Sequence, residues 1–131
     1  MPRQITEKPS SRPAVLSVAN ERALAQIRNA VLAHAGYDVI PAYSLEGALT
    51  ALRDRCVGAM VISHTVRPSD LRALVQEAHQ RKVPLLLLDP YDQFAQSQSE
   101  LHVNPLDGPE VFLHAVAALI ARDQPPSLAP G

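Results

Sequence analysis

The pattern of apolar positions divides the chain into two kinds of segment that alternate. Apolar runs of four to six residues predict buried strands, and stretches with an apolar residue every three or four positions predict amphipathic helices. The order is strand, helix, strand, helix, strand, helix, strand, short connection, strand, helix. This alternation predicts an α/β fold in which a five-stranded parallel sheet carries helices on both faces.

Residues that start and stop helices lie at the borders of these segments. Asn20 is a plausible N-cap for the first helix, and Ser44 for the second. Ser69 or Asp70 is expected to open the third helix, which Pro84 ends. Four of the strands are predicted at Val15–Ala19, Tyr37–Ala42, Val57–Ile62 and Leu85–Leu88.

Each predicted helix has one apolar face that is expected to pack on the sheet. The first helix spans Glu21–Ala35 and stops at Gly36. The last helix starts within Asp107–Glu110, with Pro109 near its first turn. The four faces, in chain order, are Leu24, Ile27, Val31 and Leu32; Leu45, Ala48, Leu49 and Leu52; Leu71, Leu74, Val75 and Ala78; and Val111, Phe112, Ala115, Val116, Leu119 and Ile120.

The third strand leads directly into polar residues, which suggests a functional strand end. Within Gly58–Pro68, an apolar strand is followed by His64 and, four positions later, by a proline. In a doubly wound sheet the ligand crevice lies at the carboxyl ends of the strands. We therefore expect His64 at the crevice.

These segments resemble the receiver domain of bacterial response regulators, which has a flavodoxin-like fold of five parallel strands. Ala14–Glu21 looks like the first receiver strand, Ala35–Val39 resembles the entry to the second, and Ala59–Pro68 looks like the third with its trailing proline. Val103–Leu106 is similar to the Lys-Pro-Phe ending of the fifth strand. The resemblance covers about Pro13–Arg122 and implies a receiver-like domain over residues 13–122.

The residues that the resemblance places in the receiver active site are not those of a working receiver. Receivers use two acidic residues for Mg²⁺, an acceptor aspartate, a Thr or Ser, and a lysine. The corresponding positions here are Ala19, Asn20, His64, Asp89 and Asn104. Mg²⁺ usually takes one or two carboxylates, and those at its anchor positions are replaced. The resemblance therefore implies a degenerate site in which no aspartyl phosphate forms.

Two departures concern the switching elements of receivers. Only fourteen residues separate Asp89 from Asn104, and the polar stretch Tyr91–Glu100 has little helical periodicity, so the fourth receiver helix is expected to be shortened or missing. His102 stands at the position of the switch aromatic. His64 and Thr65 also resemble an atypical receiver subgroup with a His-Ser or His-Thr pair in place of the acceptor.

Composition and charge exclude several function classes. Twelve basic and thirteen acidic residues leave no basic stripe for nucleic acid. The single cysteine, Cys56, excludes an intrachain disulfide and is expected to be buried or incidental. The N-terminus lacks an apolar signal region, and no apolar run is long enough to span a membrane. We expect a cytoplasmic, stand-alone module with a flexible segment over residues 1–12 and a proline-rich tail over 123–131.

His64 has several possible roles. The simplest is a hydrogen-bonded histidine at a strand end, and a pairing with Asp89 at the neighbouring strand end would hold its ring in one tautomer. Acid–base chemistry, phosphohistidine formation and metal ligation remain as alternatives. Asn20 and Glu21 are expected to be helix-capping and first-turn residues, and the other histidines lack the spacing of a zinc site.

The sequence thus predicts a degenerate receiver in bacterial signal transduction, with no enzymatic activity and no cofactor or metal. Its expected mode of action is phosphorylation-independent contact with a protein: a signalling kinase, a regulator or a second copy of the chain. The last helix, the fifth strand and the connection Tyr91–His102 are the expected contact surface. The alternative is a small-ligand-binding or histidine-based catalytic module that uses the crevice around His64 and Asp89.

Overall fold

The computed structural model has the predicted element order, with five strands and four helices among the residues it describes, 13–63, 65–88, 101–103 and 108–123. The strands form one parallel sheet in the order β2-β1-β3-β4-β5, which is the flavodoxin-like order. In chain order the elements are β1 (Ala14–Val18), α1 (Arg22–His34), β2 (Asp38–Ala42), α2 (Leu45–Asp54), β3 (Ala59–Ile62), α3 (Pro68–Arg81), β4 (Leu85–Leu88), β5 (Leu101–Val103) and α4 (Pro109–Asp123).

Two separate cores lie on the two faces of the sheet. Alternate residues of each strand point to opposite faces, so Leu16 and Val18 join the core under α2 and α3, whereas Val15 joins the core under α1 and α4. The central strands β3 and β4 are buried on both faces, as their continuous apolar runs predict. Pro41 lies in β2, an edge strand, where its missing N–H costs no sheet hydrogen bond.

Several helix signals act as predicted. The Ser44 side chain accepts a hydrogen bond from the Gly47 backbone N–H at 3.0 Å and so caps α2. Gly36 follows α1 with a φ of +105°, a conformation that favours glycine. The last helix begins at Pro109, within the predicted start. Among the described residues no helix is long and apolar enough to cross a membrane.

Two predicted details are wrong. Glu21, not Asn20, is the N-cap of α1, and it makes no side-chain capping bond. The third helix begins at Pro68, before Ser69 and Asp70, because a proline at the first helical position has no N–H to leave unpaired. Of the two expectations for Cys56, a buried or an incidental thiol, its exposure contradicts the first.

The predicted buried face of α1 is also partly wrong. Leu24 is 50% exposed and Ile27 is 65% exposed, while Ala25 and Leu32 are buried. The helix is therefore rotated by about one position from the expected stripe. Val111 at the start of α4 was likewise expected to be buried but is 45% exposed.

Candidate functional site

The carboxyl ends of β1 and β3 meet at the position where a flavodoxin-like sheet reverses its strand order. β1 lies between β2 and β3, and Val18 stands opposite Ile62. Ala19 follows β1 and is fully buried, and Asn20 follows it at the surface. Ligands of such sheets bind at this reversal point, so these loops are the place where receiver chemistry would occur.

Asn20 ties the β1 loop to the β3 loop through a single residue, Thr65. The Asn20 backbone N–H donates to Thr65 Oγ1 at 3.2 Å, and the Asn20 side-chain amide donates to the Thr65 carbonyl at 3.0 Å. Asn20 was expected to cap α1 but bonds across the crevice instead. Its amide nitrogen is thus engaged in holding the β1 and β3 loops together.

Ser63 supports Thr65 from beneath. Its Oγ accepts hydrogen bonds from Thr65 Oγ1 at 3.1 Å and from the Thr65 backbone N–H at 3.2 Å. The Ser63 backbone N–H donates to the Val18 carbonyl at 2.9 Å, which extends the pairing of β3 with β1 past the strand end. Ser63 is 3% exposed, so its hydroxyl is a structural acceptor under the loop.

Among the described residues, the crevice therefore contains a hydrogen-bonded network of neutral groups, and Ala19 and Asn20 stand where a receiver has two acidic residues. Ala19 offers no ligand, and Asn20, Thr65 and Ser63 bond to one another. No cluster of three or more potential metal-ligating His, Cys, Asp or Glu side chains occurs among the described residues. The network holds the two loops together, and none of its side chains is a carboxylate of the kind that usually binds Mg²⁺.

The other predicted site residues are placed only in part. His64, Asp89 and Asn104 lie outside the described residues, as do Tyr91–Glu100, where the fourth receiver helix would fall. His102 is the central residue of β5, opposite Leu87 of β4. The structure thus brings Ala19 and Asn20 to the crevice, and the proposed pairing of His64 with Asp89 stays a prediction.

A second feature, missed by the sequence analysis, is a groove between α1 and α4. It has a volume of about 290 Å³. Its lining is apolar except for Arg28: Leu24, Ile27, Arg28, Val31, Leu88, Gly108, Pro109 and Phe112. An arginine spaced four positions after Leu24 was the available signal that this side of α1 is not simply core.

Polar atoms are buried on this side of the sheet without partners. Arg28 Nη1, Asn29 Oδ1 and Ser17 Oγ are buried and have no hydrogen-bond partner among the described residues. Burial lowers the pKa of Arg28 from its ordinary value, although a guanidinium stays charged at neutral pH. A buried polar atom without a hydrogen-bond partner is costly, so these three atoms set this side of the sheet apart.

Comparison with known proteins gives matches in structure alone. No protein-family model matches the chain, and no curated protein matches it in sequence. It is similar to a response regulator receiver protein from Sinorhizobium medicae WSM419, with a TM-score of 0.75, 16% identity, and coverage of 87% of this chain and 98% of that chain.

Two further receiver structures agree with the first. The receiver domain of an HD domain-containing protein from Pseudomonas fluorescens Pf-5 gives a TM-score of 0.74 at 21% identity, over 86% of this chain and 97% of that chain. The Francisella response regulator 1452 receiver domain gives 0.73 at 18% identity, over 86% and 100%. The chain therefore has the CheY-like fold of response-regulator receiver domains over most of its length.

Proposed function

We propose that this protein is a degenerate receiver of bacterial signal transduction that acts through protein contact and takes no phosphoryl group. The observation that carries the proposal is the network of Asn20, Ser63 and Thr65, in which neutral groups bond to one another between the ends of β1 and β3. A phosphorylated receiver needs a bound cation beside the acceptor, and the two residues after β1 provide no carboxylate for one.

The same network supports a fixed rather than a switching crevice. Thr65 bonds both to Ser63 on its own strand end and to Asn20 on the neighbouring one. A switching receiver would need this region to exist in two arrangements of similar free energy. Each of these hydrogen bonds contributes about 1 kcal/mol, and together they favour one arrangement of the loops.

The proposed contact surface comprises the exposed apolar residues at the N-terminal ends of α1 and α4. Leu24, Ile27 and Val111 are the large hydrophobic side chains most exposed among the described residues. Scattered exposed leucines are ordinary, but a group beside an apolar groove is typical of an interaction site. This surface includes the last helix, as the sequence predicts, and adds α1.

Site-specific photocrosslinking in the native host tests this surface. A photoreactive residue at Ile27 or Val111 should yield a covalent adduct with one protein partner, or with a second copy of the chain. The matched control is Gln76, which is exposed on α3 at the opposite face of the sheet. Adducts should not form from Gln76, and Leu24→Ser should reduce the yield from Ile27.

Two results would contradict the proposal. Adducts from Gln76 but not from Ile27 would place the contact on the α2–α3 face. Adducts that form at Ile27 only after treatment with acetyl phosphate and Mg²⁺ would show that contact depends on phosphorylation.

A further inference from the structure

The groove between α1 and α4 combines an apolar wall with an arginine that forms no ion pair with the residues that the structure describes. Arg28 lines the groove and its Nη1 atom is buried, with no hydrogen-bond partner among the described residues. Leu24, Ile27 and Phe112 contribute apolar side chains to the same lining. Burial of a polar group is unfavourable unless it is hydrogen-bonded, so an anionic acceptor in the groove would give the buried Nη1 atom a partner.

We propose that this groove binds a small amphiphilic monocarboxylate, whose carboxylate pairs with Arg28 and whose apolar body lies against Leu24, Ile27 and Phe112. A guanidinium is the side chain best suited to a carboxylate, because its planar set of donors matches the two oxygens. The proposal goes beyond the proposed partner contact and does not depend on it.

The size of the groove limits the ligand. A volume of about 290 Å³ is near the lower end of small-molecule pockets. A single short alkyl chain or one aromatic ring with its carboxylate fits this space, whereas a bulky cofactor does not. The exposed fractions of Leu24 and Ile27, 50% and 65%, leave one side of the groove open for entry.

The charges around the groove, within the described part of the chain, favour an anion over a cation. α4 spans fifteen residues and starts at the groove with Gly108 and Pro109, so the positive end of its dipole faces this region. Glu110 follows in the first turn but is exposed and does not belong to the lining. Arg28 is thus the charged side chain of the lining, and the positive end of the α4 dipole adds to its positive charge.

The test is a titration of the methyl-labelled full chain with octanoate and with octanamide, its neutral counterpart of the same length. Octanoate should shift the methyl signals of Leu24, Ile27 and Val31 and bind about tenfold more tightly than octanamide, as expected for a charge-assisted hydrogen bond. No partner protein is present, so the result is independent of the crosslinking experiment.

Variants of Arg28 then show whether the ligand preference depends on the charge of this side chain rather than on a change in folding. Arg28→Gln should abolish the preference for octanoate over octanamide, and Arg28→Lys should retain part of it. Arg72→Gln, at an exposed position on α3, is the matched control and should bind like the unaltered chain. A backbone spectrum of each variant shows that it is folded.

Three outcomes would overturn the inference. The first is equal binding of octanoate and octanamide by the unaltered chain. The second is unchanged octanoate preference in a folded Arg28→Gln variant. The third is that the methyl signals of the groove do not move with either compound, or that only signals on the α2–α3 face move.

Discussion

The two faces of the sheet differ in how fully their apolar side chains are buried and their polar atoms are paired. Under α2 and α3, the apolar faces predicted from the sequence are largely buried, and Glu77 bonds to Arg81 at 2.7 Å and lies 3.7 Å from Arg53. Under α1 and α4, Leu24 and Ile27 are exposed. The three buried polar atoms without partners among the described residues belong to α1 or to the face of β1 beneath it.

From this difference we propose that the α1–α4 face is the one used for binding. A face whose charges are paired and whose apolar residues are covered contributes mainly stability. A face that exposes apolar side chains and buries polar atoms without partners among the described residues sacrifices stability locally, and such inconsistencies are expected at functional sites. The α1–α4 face therefore carries the proposed functional surface.

The largest expected effect comes from the same substitution made on the two faces. Leu74 in α3 is fully buried, whereas Leu24 in α1 is 50% exposed. Leu74→Ala should lower the free energy of unfolding by about 2–5 kcal/mol because it leaves a cavity. Leu24→Ala should cost less than about 1 kcal/mol. Chemical denaturation measures both, and equal losses would remove the distinction between the faces.

The sequence predicted the α2–α3 face better than the α1–α4 face for a physical reason. On α3, Leu71, Leu74 and Ala78 form one apolar stripe, and all three are buried. On α1 two overlapping stripes fit a helical period, and the sequence favours the one with Leu24 and Ile27. Tertiary packing selects the other, which carries Ala25, Arg28 and Leu32 toward the sheet.

In the crevice, the sequence analysis failed in the same way at one residue, Asn20. The order of elements places Ala19 and Asn20 after the first strand, and the sequence predicts the loss of their carboxylates. It does not predict that Asn20 bonds to Thr65 rather than capping α1. That choice depends on β1 and β3 being neighbours, and local propensity does not encode a contact across forty-five residues.

A second prediction concerns Arg28, whose Nη1 atom is buried without a hydrogen-bond partner among the described residues. Arg28→Met keeps a long apolar side chain while it removes the buried cation, so the free energy of unfolding should rise by about 1 kcal/mol. Arg72→Met, made at an exposed position on the other face, should change it by less than about 0.5 kcal/mol. Thermal and denaturant unfolding measure the effect, and clear destabilisation by Arg28→Met would mean that the guanidinium has a stabilising partner.

A third prediction compares the caps of α1 and α2. Ser44 caps α2 through a hydrogen bond to the Gly47 N–H, so Ser44→Ala should cost about 1 kcal/mol. Glu21 occupies the N-cap position of α1 without such a bond, and Glu21→Ala should change the stability by less than about 0.5 kcal/mol. Similar costs at both positions would show that α1 is capped as firmly as α2.

The smallest expected effect is the pH dependence of the charge cluster on the α2–α3 face. The hydrogen bond from Arg81, and then the charges of Arg81 and Arg53, lower the pKa of Glu77 below its ordinary value. A lowered carboxyl pKa stabilises the folded state above the unfolded value, and this contribution is lost as pH falls through the folded value.

Glu77→Gln should therefore reduce the melting temperature slightly at neutral pH and leave it unchanged in acid, below both values. Arg81→Met should produce a smaller pH-dependent loss, because Arg53 remains 3.7 Å from Glu77. The double variant should lose no more than Glu77→Gln alone, because both arginines act through the Glu77 carboxylate. A loss that persists unchanged in acid would show that Glu77 acts through packing rather than charge.

The central claim is that the crevice takes no phosphoryl group although the fold is that of a receiver. The direct measurement adds acetyl phosphate, or beryllofluoride, with Mg²⁺ to the isotope-labelled chain and records amide spectra and intact mass. We expect no mass adduct and no shift of the amide signals of Ala19, Asn20 and Thr65. An adduct, or a saturable shift at these three residues, would contradict the claim, and an acid-labile adduct on His64 would establish the phosphohistidine alternative.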